Sequence, residues 1–148
     1  MKAISCGVII IDKTSRKLLA CHPSCHSYRD GNWDIPKGHV EGNETHAETA
    51  LRELKEEANI ILAESDLYDC GMFLYTKYKD LHLYVAETDV NLKDLSCSTT
   101  FNFEGRTPLE VDDYKLIDDT ATQTYYRSLG PLVADCIKRY KERDINKV

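Results

Sequence analysis

At 148 residues the chain has the size of one domain, residues 1–148, with room for a real core. Its composition is ordinary and globular, with 42 % hydrophobic and 30 % charged residues. A formal net charge of −6 argues against a general nucleic-acid or anionic-membrane surface, and no apolar run approaches the ~18 residues of a membrane span.

The first segment, MKAISCGVIIID, lacks a convincing secretory leader and reads as a buried strand over about 3–11. A turn at Asp12–Arg16 leads into a second strand over 17–22. Cys21-His22-Pro23-Ser24-Cys25-His26 carries soft-metal donors, but no second Cys/His pair completes a zinc site; the pattern predicts a strand end entering a polar loop. A short strand over Trp33–Pro36 and a loop over 37–44 follow. Further on, Met72–Tyr78 and Leu81–Glu87 pattern as a hairpin joined by Lys79-Asp80. The polar stretch 89–109 reads as a long loop, a feature often used as a lid. A last strand over 111–117 and a helical tail over 121–143 end the chain, with Gly130-Pro131 expected to break or kink the tail. Leu132, Val133, Cys136, Ile137 and Tyr140 make the tail's apolar face. The order of elements suits a mixed sheet covered on both sides by helices, an α/β fold. The six cysteines (Cys6, Cys21, Cys25, Cys70, Cys97, Cys136) are irregularly spaced, which fits free thiols and a cytoplasmic protein.

The informative stretch lies between Trp33 and Ile60. Thr45 with Glu48 forms a capping box, and Ala47, Ala50, Leu51, Leu54 and Ala58 make one apolar stripe. Asn59 can take a left-handed conformation past the end. The helix predicted over Thr45–Ala58 places Glu57 about 40° from Glu53, and Glu56 about 60° to the other side. Like charges at these spacings repel, and they sit at the negative end of the helix dipole. A structural helix gains nothing from such an arc. A helix holding a hard cation does, because Mg²⁺ prefers oxygen ligands. Taken alone, the acidic run reads more readily as a solvated face, since such runs are common on exposed helices.

The surroundings decide between the two. Gly38, Glu44, Arg52-Glu53-Leu54-Lys55-Glu56-Glu57 and Ile60 stand at the spacing G-x5-E-x7-R-E-U-x-E-E-x-G-U, with U aliphatic. This resembles the Nudix box, with Asn59 where the family has glycine. Asn is the next-best residue for a positive φ. The resemblance implies a Nudix-type α/β/α sandwich with a mixed β-sheet, and two or more Mg²⁺ (or Mn²⁺) ions held by Glu53, Glu56, Glu57 and the Gly38 carbonyl. It also implies that Arg52 orients the acids, that Glu44 supports them from behind, and that a further carboxylate comes from outside the box. Glu87, Glu104, Glu110, Asp112 and Asp113 are the candidates, Glu110 first and Glu104 second. Lys37, with Arg16 or Arg29, suits phosphate.

The implied chemistry is hydrolysis of a nucleoside diphosphate linked to another group, with Glu53 as general base and Glu110 as the alternative. The lead-in Trp33-Asp34-Ile35-Pro36-Lys37-Gly38 resembles dinucleoside polyphosphate and diphosphoinositol polyphosphate hydrolases. Tyr78, eighteen residues past Ile60, matches a soft marker of the diadenosine polyphosphate group and is the expected base contact. A nicotinamide-nucleotide motif of the SQPWPFP type is absent from the sequence. Alternatives are ADP-ribose or another nucleotide sugar, a damaged dNTP or the 5′ end of an RNA. A Nudix-fold binding protein without turnover would need a broken box, and the charged core of this one is intact. The partner expected is a small-molecule nucleotide.

Overall fold

The structure, a computed structural model, describes residues 2–144. Ala3–Asp12 is strand β1, and its alternation of Ile, Val and Cys is buried on both faces because β1 runs through the middle of the sheet. It pairs in parallel with β5 (Lys79–Thr88) along its whole length, from Ala3↔Lys79 to Asp12↔Thr88. β4 (Tyr68–Thr76) lies antiparallel on the outer side of β5. On the other side come β2 (Leu18–Pro23) and β6 (Val111–Ile117), giving the order β4-β5-β1-β2-β6.

The first hairpin is splayed. β1 and β2 pair at Ile11↔Leu18, and then the chain from Trp33 to His39 fills the opening between them. Cys21 and Asp34 exchange both backbone hydrogen bonds at 2.8 Å, and Val8 N donates to Pro36 O at 3.1 Å. Strand β3 is therefore Lys37–His39, paired with Gly7–Ser5, and not the expected Trp33–Pro36. A short Lys-Gly-His run has no period to read; β1 makes it a strand. Glycine at position 7 permits the approach, since a Cβ there would lie 2.8 Å from Lys37 Cβ.

Helix α1 (His46–Ala58) packs Ala50, Leu54 and Ala58 on one face of the sheet, against Cys6, Val8 and Ile10. Helix α2 (Gly130–Glu142) packs Val133, Cys136, Ile137 and Tyr140 on the other, against Ile9, Ile11 and Leu83. The result is an α/β/α sandwich with a mixed sheet. Gly130-Pro131 starts α2 instead of breaking a longer helix: proline at the first positions loses no helical hydrogen bond. Residues 122–124 upstream form a separate 3₁₀ turn. The β4–β5 turn falls at Lys77-Tyr78, two residues before the expected Lys79-Asp80, and register shifts at Asp69/Gly71 and Leu74/Thr76 mask the alternation there. Among the described residues no helix is long and apolar enough to cross a membrane.

The expected long loop contains a small two-stranded finger. Thr100 bridges Leu109, Phe103 bridges Arg106, and Glu104-Gly105 make the tip with φ of 50° and 77°. Two positive φ values match the twist that tight hairpins need.

Candidate active site

The capping box is formed: Thr45 Oγ1 accepts from Glu48 N at 3.1 Å, and Glu48 Oε1 accepts from Thr45 N at 2.9 Å. Asn59 is left-handed at φ 57° and its N–H returns to Lys55 O. The next carbonyls of α1 are also occupied: Ser98 N donates to Glu56 O at 2.7 Å, and the Tyr114 hydroxyl donates to Glu57 O at 2.5 Å. The residue before the finger and the middle of β6 thus fix the end of the helix that carries the acids.

Arg52 is the hub of the acid face. It grips Glu44 through Nε at 2.7 Å and Nη2 at 3.0 Å, the fork geometry that arginine offers a carboxylate. Its Nη1 donates to Glu53 Oε1 at 2.8 Å and Glu56 Oε2 at 3.2 Å, and Nη2 reaches His39 O at 3.0 Å. Glu44 in turn accepts from Thr49 Oγ1 and Glu41 N, and the Arg52 hydrogen bond holds it down at about 2. Burial does the opposite to its neighbours. It pushes Glu53 up to about 7 and Glu57 up to about 9, even though Arg52 hydrogen-bonds the first and the Lys37 amide donates to Glu57 Oε1 at 2.8 Å. Gly38 faces Glu53 so closely that a Cβ would stand 2.1 Å from Glu53 Oε1.

Among the described residues, no three His, Cys, Asp or Glu side chains are gathered tightly enough to hold an ion as they stand. Arg52 draws Glu53 and Glu56 aside, and Glu57 turns to the Lys37 amide. The donor set nevertheless fits a hard divalent cation. All the acid-face donors are oxygens, two carboxylates are buried where only a cation would restore their charge, and Gly38 leaves the Glu53 carboxylate its space.

Beside Glu57 opens a cleft of about 270 Å³. Lys37 and Asp34 line it from the box side, Ser24 and His26 from the loop after β2, and Phe101 and Glu110 from the finger. Lys37 Nζ pairs with Asp34 Oδ2 at 2.9 Å; burial lowers its affinity for the proton, but the Asp34 charge outweighs this and holds it above the ordinary lysine value. Glu110 is close enough for its charge to act on Glu53. The other acidic candidates lie elsewhere. Glu87 is tied to Arg16 at 2.5 Å and to the Tyr140 hydroxyl. Asp112 meets His22 Nδ1 at 2.5 Å, Asp113 accepts from Tyr114 N, and Glu104 is at the finger tip. Arg16 is therefore committed away from the cleft, and Arg29 is exposed.

Tyr78 sits in the β4–β5 turn, 71 % exposed, with Lys77 over its ring. Two tyrosines not singled out by the sequence stand nearer. The Tyr75 ring centroid is 5.9 Å from Lys37 Nζ, and the Tyr126 ring meets His26 edge-on at 6.3 Å. With Gly31, Arg127 and Ser128 they line an open groove. Tyr75 sits on β4 three residues before the marker position, but Tyr126, more than fifty residues further on, could not be placed here without the fold.

Sheet, helices and cleft define an α/β/α sandwich with an acid-lined cleft beside the end of α1. Residues 1–118 match the NUDIX domain family. The chain belongs to the Nudix hydrolase family. An uncharacterized 17.7 kDa protein of the e-segB intergenic region of Enterobacteria phage T4 is 34 % identical over 133 residues, which is 83 % of this chain and 87 % of that one. A bis(5′-nucleosyl)-tetraphosphatase of Caenorhabditis elegans is 41 % identical over 54 residues, 36 % of this chain and 39 % of that one. An 8-oxo-dGTP diphosphatase of Proteus vulgaris is 39 % identical over 66 residues, 45 % of this chain and 57 % of that one. Among solved structures, a MutT/nudix family protein from Enterococcus faecalis superposes with a TM-score of 0.73 at 13 % identity, covering 96 % of this chain and 63 % of that one. The C. elegans Ap4A hydrolase complex gives 0.65 at 23 % identity, covering 93 % and 98 %.

Proposed function

We propose that the protein is a Mg²⁺-dependent (or Mn²⁺-dependent) pyrophosphohydrolase that cleaves a phosphoanhydride in a nucleoside diphosphate linked to another group, with dinucleoside polyphosphates as the preferred substrates. The observation that carries this reading is that the acid-lined cleft and the Tyr75/Tyr126 groove adjoin: Lys37 of the cleft lies 5.9 Å from the Tyr75 ring centroid, and His26 of the cleft meets the Tyr126 ring. A polyphosphate held along the acids and Lys37 leaves its nucleoside beside tyrosine rings, where stacking is worth roughly 1–3 kcal/mol per base. This supports Tyr75 and Tyr126 as base contacts ahead of Tyr78.

In this reading Glu53, Glu56, Glu57 and the Gly38 carbonyl hold the cations. When bound, these supply charge neutralisation to the polyphosphate and activation of water. Glu53 takes the proton of water as its oxygen attacks one phosphorus in line and the bridging P–O bond on the opposite side breaks, releasing the other phosphate as leaving group, with Glu110 as the alternative base. Arg52 holds Glu53 and Glu56 in place through its hydrogen bonds and neutralises part of their mutual repulsion. Lys37, already a donor to Asp34, turns its charge to phosphate oxygens.

The deciding experiment is hydrolysis by the purified protein with Mg²⁺ and with EDTA. Its panel holds diadenosine tri- and tetraphosphate, ADP-ribose, 8-oxo-dGTP, the common dNTPs and a 5′-triphosphate RNA. Metal-dependent preference for the dinucleoside polyphosphates is the expected result. Preference for ADP-ribose or 8-oxo-dGTP keeps the acid site and discards the substrate. No metal-dependent turnover across the panel removes the catalytic reading.

A further inference from the structure

On the same sheet face as α1, but away from the acids, two histidines face each other. His46 is the first residue of α1 and His82 lies in mid-β5. Their Nδ1 atoms stand 2.7 Å apart with the rings nearly perpendicular, at 89°. Behind His82, its Nε2 meets Asp69 Oδ1 at 2.6 Å, and that same oxygen accepts from Gly71 N at 2.7 Å. The His82 ring also stacks on Tyr84, centroids 4.5 Å apart and 9° from parallel. Its side chain is 13 % exposed.

Donor and acceptor counting fixes the arrangement. A carboxylate only accepts, so Nε2 of His82 carries a hydrogen. In neutral His82 the lone pair is then on Nδ1, aimed at His46. A single proton between two imidazoles satisfies the pair, and so does a cation. A carboxylate behind an imidazole, fixing its tautomer and orienting its free nitrogen, is the usual support of a metal-ligating histidine.

We propose that His46 and His82 form a second metal site, for a borderline divalent transition ion such as Zn²⁺, with Asp69 as the orienting carboxylate. Imidazole nitrogens select such ions over Mg²⁺, which prefers oxygen. Bonds of about 2.0–2.1 Å at a tetrahedral angle would need the two nitrogens roughly 3.3 Å apart. His46 can open that gap, because its ring makes no other side-chain hydrogen bond among the described residues. Two protein ligands leave the remaining positions to water. Seven residues separate His46 from Glu53, about 10 Å along the helix, so this site and the acid face are distinct. An ion here would tie the start of α1 to β5 at a point the acid face does not touch.

The test is zinc binding by the untagged protein in excess Mg²⁺, which occupies the acid face. A Cys25→Ser background removes the exposed thiol, which would also take zinc. Equilibrium dialysis should give one bound zinc per chain. His46→Ala and His82→Ala should each abolish it, and Asp69→Asn should weaken it roughly 10–100-fold. His46→Gln, kept at the helix start, guards against loss through misfolding, with thermal unfolding checked for each variant. Zinc bound equally well by the His46 and His82 variants, or no zinc bound by the parent in excess Mg²⁺, overturns the proposal. Neither outcome depends on turnover, so failure here leaves the pyrophosphohydrolase reading untouched.

Discussion

Helices α1 and α2 have the same length, 13 residues each, and cover opposite faces of one sheet. α2 follows the rules of a packing helix. Its buried positions are apolar apart from Gly130, basic residues fill its last turn, and its side-chain ion pair along the helix, Asp135–Arg139, is exposed. α1 breaks those rules at one place. It buries Glu53 and Glu57, at its negative end, beside Glu56. Arg52 offsets part of that repulsion, and burial, with the neighbouring acids adding to it, raises the proton affinity of both groups. Charge placed against helix physics marks the face that does something other than pack.

The contrast can be tested from both sides. Glu57→Gln should lower kcat by roughly 100-fold or more at saturating Mg²⁺, within the range seen for loss of a directly participating group, while leaving the thermal midpoint unchanged or higher. Near-normal kcat would sink the metal assignment. Gly38→Ala should come next. Its Cβ would collide with Glu53 Oε1, and a displacement of about 1 Å can lower turnover up to 10²-fold; circular dichroism should still report a folded protein. On α2, Ile137→Val should lower stability by about 1 kcal/mol and leave kcat within twofold. A matching loss of kcat would mean that α2 also serves the site.

The acids also set a pH dependence. The folded Glu53 and Glu57 bind protons more tightly than the unfolded chain, whose carboxylates ionise near 4.5. Without metal, stability from these two groups is therefore greatest below that value. It falls as pH rises toward about 7 for Glu53 and about 9 for Glu57. Thermal melts in EDTA should decline across this window, and Mg²⁺ should restore the midpoint. A flat profile in EDTA would contradict the burial argument. The smallest effect is expected at Asn59, where glycine should relax the left-handed cap by up to about 1 kcal/mol in urea unfolding.

Much of α1 was legible in sequence because its rules are local. Thr45 and Glu48 cap each other across three residues, and Asn59 ends what Thr45 began. The core alternation of β1 was legible for the same reason. What failed was set by distant partners. Lys37–His39 became a strand only because Ser5–Gly7 lay alongside. The β4–β5 turn slipped because bulges at Gly71 and Thr76 break the alternation. Gly130-Pro131 was misread for another reason, a local one: proline starts a helix as readily as it stops one. Glu110 was singled out by sequence and lines the cleft, but Asp34, Tyr75, Tyr126 and His26 were brought to its neighbourhood by loops that no period announces. The His46–His82 pair joins a helix start to a central strand, a contact that no spacing in one sequence encodes.

The finger over 99–110 has a consequence for redesign. Its root is closed by Glu110 N to Thr99 O at 2.9 Å, and Ser98 just outside is moored to the end of α1. Its tip, Glu104-Gly105, is exposed and is closed by the Phe103–Arg106 backbone pair within the finger itself. Length and composition of the tip are thus free to vary while the anchors stay put, which makes the finger a graftable cassette. Exchanging it would change what reaches over the Phe101 side of the cleft and leave the acid helix clamped where it is.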